Sequence, residues 1–485
     1  MARVQTELFN QGAADALKDP VLQRALAGFQ QRLGPATAAS YTGLPEGPGL
    51  RQQAKAVRME GLRHLDDLLE RLADLIRERG GHVFFAEDSA AAASYCRKVA
   101  RRHNVKRVVK GKSMVSEEID LDAVLEADGV EVVETDLGQY IVQLAGEPPS
   151  HIIAPAIHKT RHEVGRLFAE KLGIAYTDDP PTLTQAARKA LREKFLSADM
   201  GISGCNLACA ETGHITTVSN EGNIRMATTL PRVHVALMGM ERIIPRLADH
   251  DMLFRLLARG AAAQHMAGYV SYIGGPRQPA QGDGPDEFHL VIIDNGRSRI
   301  LADTEFREIL CCIRCAACLN VCPVYGKIGG YPYGFPYSGP VGAVVTPLLT
   351  GISRGKHLFM GDPLCGACKD ACPVDIDIPR MLLALRRRLA DGDPAWDVSR
   401  KYSVDKLAFD LWSYWIRHRG LYEAGLRLGA AGQKRLAGTE GVIESLPRPL
   451  DGWTRHRNLS PLTGKSFIRR WREHYGRSGT ETEQR

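Results

Sequence analysis

The sequence lacks any stretch approaching the ~20 consecutive apolar residues that a membrane-spanning helix needs. Its best candidate, residues 341–352, is short and interrupted by Pro347 and Gly351, which excludes a helical span of a bilayer. The first twenty residues carry Glu7, Asp15 and Asp19 and no unbroken apolar run behind a basic flank, so no secretory leader is expected and the protein is predicted to be cytoplasmic. Low-complexity tracts are few. With 44% apolar and 25% charged residues, most of the chain is expected to fold. There is no G-x-S-x-G elbow, no H-E-x-x-H pair and no complete dinucleotide fingerprint. Lys110-Gly-Lys-Ser113 and Gly464-Lys-Ser466 end like a phosphate loop, but each lacks the glycine five residues ahead of its Gly-Lys pair, so no nucleotide hydrolysis is expected.

At 485 residues the chain exceeds what one core usually supports, and two or three domains are expected. The net charge of +7 is uneven: residues 401–485 hold 16 Lys and Arg against 9 Asp and Glu. That is too sparse for a nucleic-acid footprint. A solvated surface is the plain reading, with contact to an acidic partner or an anionic membrane surface left open. All five tryptophans, Trp396, Trp412, Trp415, Trp453 and Trp471, lie in the last hundred residues, where their spacing reads as packing.

Within residues 57–79, Leu62, Leu65, Leu69, Leu72 and Ile76 recur at three- and four-residue steps, which predicts one long helix stopped by Gly80 and Gly81. Strand-like runs follow at residues 82–85, 105–109, 130–133 and 151–153, separated by helical segments at 89–103 and 117–127. After a helix over 183–198, further strands are expected at 215–219, 233–238 and 290–293, with 274–286 a loop by composition. Strands alternating with helices imply a parallel sheet covered on both faces, so residues 1–300 read as one α/β domain. A cysteine-rich module over 301–392 and a helical, basic region over 393–485 complete the expected organisation, with a helix at 381–389.

Eleven cysteines without an export signal point to metal or thiol chemistry rather than disulfides. Eight fall between Cys311 and Cys372; the others are Cys96, Cys205 and Cys209. Cys312-Ile-Arg-Cys315-Ala-Ala-Cys318-Leu-Asn-Val-Cys322-Pro323 has the bacterial ferredoxin spacing, in which three thiolates wrap one cubane and the fourth serves a second. Cys365-Gly-Ala-Cys368-Lys-Asp-Ala-Cys372-Pro373 repeats its last three cysteines, and aligning the two places Asp362 where the leading cysteine would be. The crossed rule gives Cys312, Cys315, Cys318 and Cys372 to a first [4Fe–4S] cluster and Cys322, Cys365 and Cys368 to a second. The fourth corner of the second is open to Cys311, Asp362, another residue, a partner subunit or solvent, or is empty in a [3Fe–4S] cluster. Zinc is the competing metal, but two compact runs each ending in Cys-Pro do not suit its paired-ligand spacing. The intervening segment, with Tyr331, Tyr333 and Tyr337, offers irregular backbone amides and apolar cover.

Gly204-Cys-Asn206 and Glu211-Thr-Gly213, followed by Cys312 to Cys318 and Leu364-Cys-Gly-Ala-Cys368, resemble the lactate-utilisation iron–sulfur protein B family. The resemblance extends through Gly339-Pro-Val-Gly342 and Thr346-Pro-Leu-Leu349 to the basic, Trp-containing tail. It implies an N-terminal LUD domain similar in fold to sugar-phosphate isomerases and CoA transferases, and seven cysteine ligands at the positions just given. It also implies a subunit that works with two partner proteins in oxidising L-lactate to pyruvate. Asn206, Glu211, Thr212 and Gly213 form a candidate ligand loop; no catalytic residue is assigned. Cys205 and Cys209, four apart, could share a helix face, but two thiols do not complete a metal site. Another dehydrogenase or a heterodisulfide-type reductase is the alternative setting for the same clusters, and a cluster-based sensor is a third.

Overall fold

Val- and Ile-rich runs that do not alternate with polar residues make strands buried on both faces. The strands β1 (His82–Ala86), β2 (Arg107–Lys110), β3 (Glu131–Glu134), β4 (Met200–Gly204), β7 (Val233–Gly239) and β10 (Glu287–Ile293) pair in the order β1-β10-β7-β4-β2-β3, with β7 fully buried at the centre and β1 a partly exposed edge. Every pairing is parallel. In β7, Val235 and Leu237 face a layer built on helices Ser89–Arg102 and Leu121–Glu126, while Ala236 and Met238 face helix Leu65–Glu78. Toward the β3 edge, Phe168, Leu183 and Leu191 cover Val109 and Val133. A second sheet of β5 (Leu207–Cys209), β6 (His214–Ser219), β8 (Ile243–Ile244) and β9 (Tyr269–Ile273) runs β8-β5-β6-β9 and is mostly antiparallel.

The computed structural model describes residues 4–44, 47, 49–150, 152–399, 404–433, 436, 441–448, 450–455 and 457–475. The chain divides into two compact units, Met1–Ser399 and Arg400–Arg485. In the first unit, helices Pro20–Thr42 and Gly49–Arg63 share one continuous core with the cysteine-rich segment: Leu26, Leu50 and Leu62 are buried together with Cys311, Cys318 and Cys368. Helix Gly339–Thr350 runs through Pro347 in the same core.

Several expected elements differ. The long helix over 57–79 is two helices broken at His64, because Leu62 packs toward the cysteine-rich core while Leu65, Leu69 and Leu72 pack beneath the sheet. The helix over 117–127 is likewise split, with Asp120 in the left-handed region at φ 55° between Met114–Glu118 and Leu121–Glu126. Of the strand expected at 151–153, His151 lies outside the described residues, and Ile152 and Ile153 form a bend. Cys205 and Cys209 lie at β4–β5 of the sheets, not on a helix.

The second unit is helical over Val404–Arg417, Arg419–Gly432 and Phe467–Tyr475, with Ile443 bridged to Leu459. Of the tryptophans, Trp396 of the first unit packs as expected, its Nε1 donating to Asp303 at 2.8 Å. Trp412, Trp453 and Trp471 are more than half exposed instead. No helix among the described residues is long and apolar enough to cross a membrane.

Candidate iron–sulfur centres and an adjoining cavity

The two cysteine loops have the same backbone. Arg314 and Ala316 in the first, and Leu364 and Gly366 in the second, occupy the left-handed region, where only glycine sits without cost. Each loop then closes on a four-residue helix, Ala317–Asn320 or Ala367–Asp370, whose first turn is fixed by N–H bonds to the carbonyls of Ala316 and Gly366. After each helix the chain presents Cys322 or Cys372, and each Sγ accepts an amide N–H at 3.4 Å, from Tyr325 and Ile376 respectively. At the head of the first loop the Arg314 amide donates to Cys312 Sγ at 3.4 Å; at the head of the second the Leu364 amide donates to Asp362 Oδ1 at 2.7 Å.

Burial and mutual proximity show which thiols are neighbours. Burial pushes Cys372 up to about 11, and Cys312 adds to the shift. Cys315 and Cys318 are raised by burial and then by Cys312 and Cys372, and Cys318 also by Cys315 and by Cys368 of the second loop. Burial takes Cys322 to about 11 and Cys368 to about 12, and both feel Asp362 and Cys365. Cys312, Cys315, Cys318 and Cys372 are thus charged neighbours, as are Cys322, Cys365, Cys368 and Asp362, and Cys318 and Cys368 bring the two groups side by side. Cys311 joins neither four: its charged neighbours are Arg58, Glu308, Lys55 and Cys312. All eleven thiols are free of disulfides, and soft donors in two sets with amides directed at sulfur suit iron–sulfur clusters.

N-terminal helices brace the loops. Gln30 Nε2 donates to the Cys322 carbonyl at 2.7 Å, Arg51 Nε to that of Cys372 at 2.8 Å, and Lys55 pairs with Glu308 at 2.7 Å. Residue 260 must be glycine for Cys315 to fit, since a Cβ there would lie 2.9 Å from its Sγ. Beneath the first loop a charge network is fully buried. Arg297 binds Glu118 and Glu241, each at 2.8 Å, and the Tyr337 hydroxyl donates to Glu118. Burial alone would raise the Glu241 carboxyl, but Arg297, Arg242 and Arg314 hold it down to about 2.

Beyond the C-terminal ends of β2, β3 and β4 lies a cavity of about 310 Å³. Asn206 of the candidate ligand loop lines it; Glu211, Thr212 and Gly213 do not. The carbonyls of Thr212 and Gly213 accept from Arg79, and Glu211 Oε2 accepts from the Leu247 amide. Lys112, Ser113, Arg242, Arg314 and Tyr337 also belong to its wall. Of these residues the sequence draws attention only to Tyr337, as cover for the cysteine loops. Lys112 and Ser113 sit in the stretch set aside as an incomplete phosphate loop, and Arg314 occupies a variable position of the cysteine motif. Lys110 of that stretch is buried against Glu134 and Asp122 at 2.6 and 2.8 Å.

A parallel α/β domain coupled to paired cysteine loops defines the class: residues 69–293 match the LUD domain and residues 308–376 a 4Fe-4S dicluster domain. Lactate utilization protein B of Bacillus licheniformis is 43% identical over 472 residues, 97% of each chain. The protein of that name in Bacillus subtilis is 42% identical over 97% of this chain and 96% of its own. "Uncharacterized electron transport protein YkgF" of Escherichia coli K12 is 42% identical over 94% and 95%. The chain belongs to the lactate utilization protein B family.

Proposed function

We propose that this chain is the iron–sulfur electron-transfer subunit of a cytoplasmic complex that oxidises L-lactate to pyruvate together with two other lactate-utilisation subunits. Seven free thiols on two loops of matching backbone carry the reading, on a chain whose relatives are named for lactate utilisation. Cys312, Cys315, Cys318 and Cys372 hold the first [4Fe–4S] cluster. Cys322, Cys365 and Cys368 hold the second, and Asp362 fills its fourth corner, because it occupies the place of Cys312 in an otherwise equivalent loop. When bound, such clusters each exchange single electrons, so a pair matches the two electrons that a 2-hydroxy acid releases on becoming a 2-oxo acid.

The chain's own residues hold and shield these sites. Amides of Arg314, Tyr325 and Ile376 stabilise anionic sulfur, and Tyr325 and Tyr337, both buried, exclude water from the first unit's interior. Functionally we divide the chain into a LUD domain over 1–300, a cluster module over 301–392 and a helical region over 393–485. The exposed Leu407, Trp412 and Trp471 of that last region are assigned to docking of the partner subunits, with peripheral membrane contact the other outcome. The Escherichia coli relative is named for electron transport without a substrate, which favours another dehydrogenase as the second reading.

The test is lactate-dependent bleaching of the visible absorbance of the anaerobically purified chain, with its partners present and absent, alongside growth of a deletion strain on L-lactate. Bleaching that requires the partners, and loss of growth, are expected. Undiminished growth of the deletion strain overturns the reading.

A further inference from the structure

The cavity beyond the sheet is a built site for an anion that no part of the electron-transfer reading uses. Its wall next to the first cysteine loop is cationic. Arg314 stands between Cys312 and Cys315, its side chain nine-tenths buried and its guanidinium stacked 4.2 Å from the Tyr337 ring centre. Its nearest carboxylate, Glu241, is 3.8 Å away, and its Nε and Nη1 make no hydrogen bond although both are buried. Leaving such donors unmatched costs free energy that a bound acceptor would recover. Arg242, also on the wall and 7% exposed, fixes one end of its fork on the Cys312 carbonyl at 3.1 Å. Lys112 faces the same space.

Two carboxylates also line the cavity, on the side of Lys112, and each holds a backbone amide through one oxygen. Asp136 Oδ1 accepts from the Gln139 amide at 3.0 Å and Glu221 Oε2 from the Leu137 amide at 3.1 Å. The rest of the wall mixes amide and hydroxyl groups, Asn206 and Ser219 among them, with apolar Ile152 and Leu257. Such a lining suits a small organic acid better than inorganic phosphate, which offers nothing to the apolar side.

We propose that this cavity binds a small organic carboxylate, with Arg314 and Arg242 on its carboxylate and Asn206 on a neighbouring hydroxyl or oxo group, beside the loop that carries Cys312 and Cys315. The choice of a 2-hydroxy or 2-oxo acid as occupant rests on the proposed function; the carboxylate site itself does not.

The test is calorimetric titration of the anaerobically purified, iron-replete chain with L-lactate, pyruvate, acetate and phosphate at fixed ionic strength. Saturable binding of lactate or pyruvate is expected, tighter than phosphate, and about tenfold weaker in Arg314→Gln at unchanged iron content. Lys112→Gln and Asn206→Ala, which lie off the cysteine loop, weaken it as well and serve if Arg314→Gln loses iron. Acetate binding as tightly as lactate keeps the carboxylate site and removes support from the lactate reading. No saturable binding of any carboxylate up to about 10 mM overturns the proposal. So does unchanged affinity in Arg314→Gln accompanied by a shifted reductive titration, which would give the guanidinium to the iron–sulfur loop instead.

Discussion

The two cysteine loops share a backbone path and differ in one donor and in their setting. The first heads its path with the Cys312 thiol, the second with the Asp362 carboxylate, and each accepts the amide two residues on. The first loop sits against the buried network of Arg297, Glu118 and Glu241. The second is fastened closer to solvent: Cys365 is exposed, and Lys369 pairs with Asp377 at 2.6 Å on side chains 45% and 27% exposed. Arg386 anchors its head through the carbonyls of Phe359 and Asp362. Under the proposed ligand set, a hard oxygen donor on the more open loop makes the second site the more labile of the two.

The largest effect expected is from removing a buried donor of the first set. Cys318→Ala lowers iron and sulfide per chain by about half and destabilises the fold, whereas Cys365→Ala loses similar iron at little cost in fold stability, because its side chain is exposed. Equal losses of thermal stability in the two variants would remove the asymmetry.

Next in size is the network beneath the first loop. Arg297→Met takes the ion-pair partner from buried Glu118 and leaves Glu241 only its longer contacts to Arg242 and Arg314, at 3.6 and 3.8 Å, and costs ~3–5 kcal/mol in denaturant unfolding. Pairing it with Glu118→Gln returns part of that loss.

Asp362 gives a smaller but more diagnostic change. In Asp362→Ala, brief exposure to air produces a three-iron EPR signal earlier than in the unaltered chain, and Asp362→Cys suppresses it. Identical kinetics in all three chains would exclude a ligand role for this carboxylate.

The smallest effect concerns Glu308, which clamps the two loops together by accepting from Lys55, Arg380 and the Asp377 amide at 2.7–2.8 Å. Burial raises its carboxyl, yet these partners prevail and hold it below its ordinary 4.5. Its contribution is therefore complete above pH 4.5 and is lost as pH falls through the lower folded value. Glu308→Gln costs about 1–2 kcal/mol at neutral pH, and the gap to the unaltered chain closes in acid.

Some of this was legible in residue order. The strands at 130–133, 233–238 and 290–293 announced themselves because buried parallel strands concentrate β-branched and aliphatic residues, and the edge strand at 82–85 did so through its Val-Phe-Phe run. The small sheet was mostly hidden: β5 and β8 are three and two residues long, too short for any periodicity. The break at His64 was hidden for another reason, since the apolar stripe runs on unbroken while its two halves face different cores. Of the candidate ligand loop, Asn206 reached the cavity and Glu211 to Gly213 turned away, because β5 intervenes and carries the chain off before β6 returns it.

The order and spacing of the cysteines determined by themselves the donor types, the repeat and the missing eighth thiol, because ligand loops this short close locally and their geometry follows from covalent reach. Which thiols become neighbours, that Cys311 stands apart while Asp362 does not, and that Arg314 meets Arg242 and Lys112 at one cavity were decided only by the tertiary structure. Those groups are separated by tens to hundreds of residues, and packing of the N-terminal helices, the sheet and the loops into one core is what brings them together.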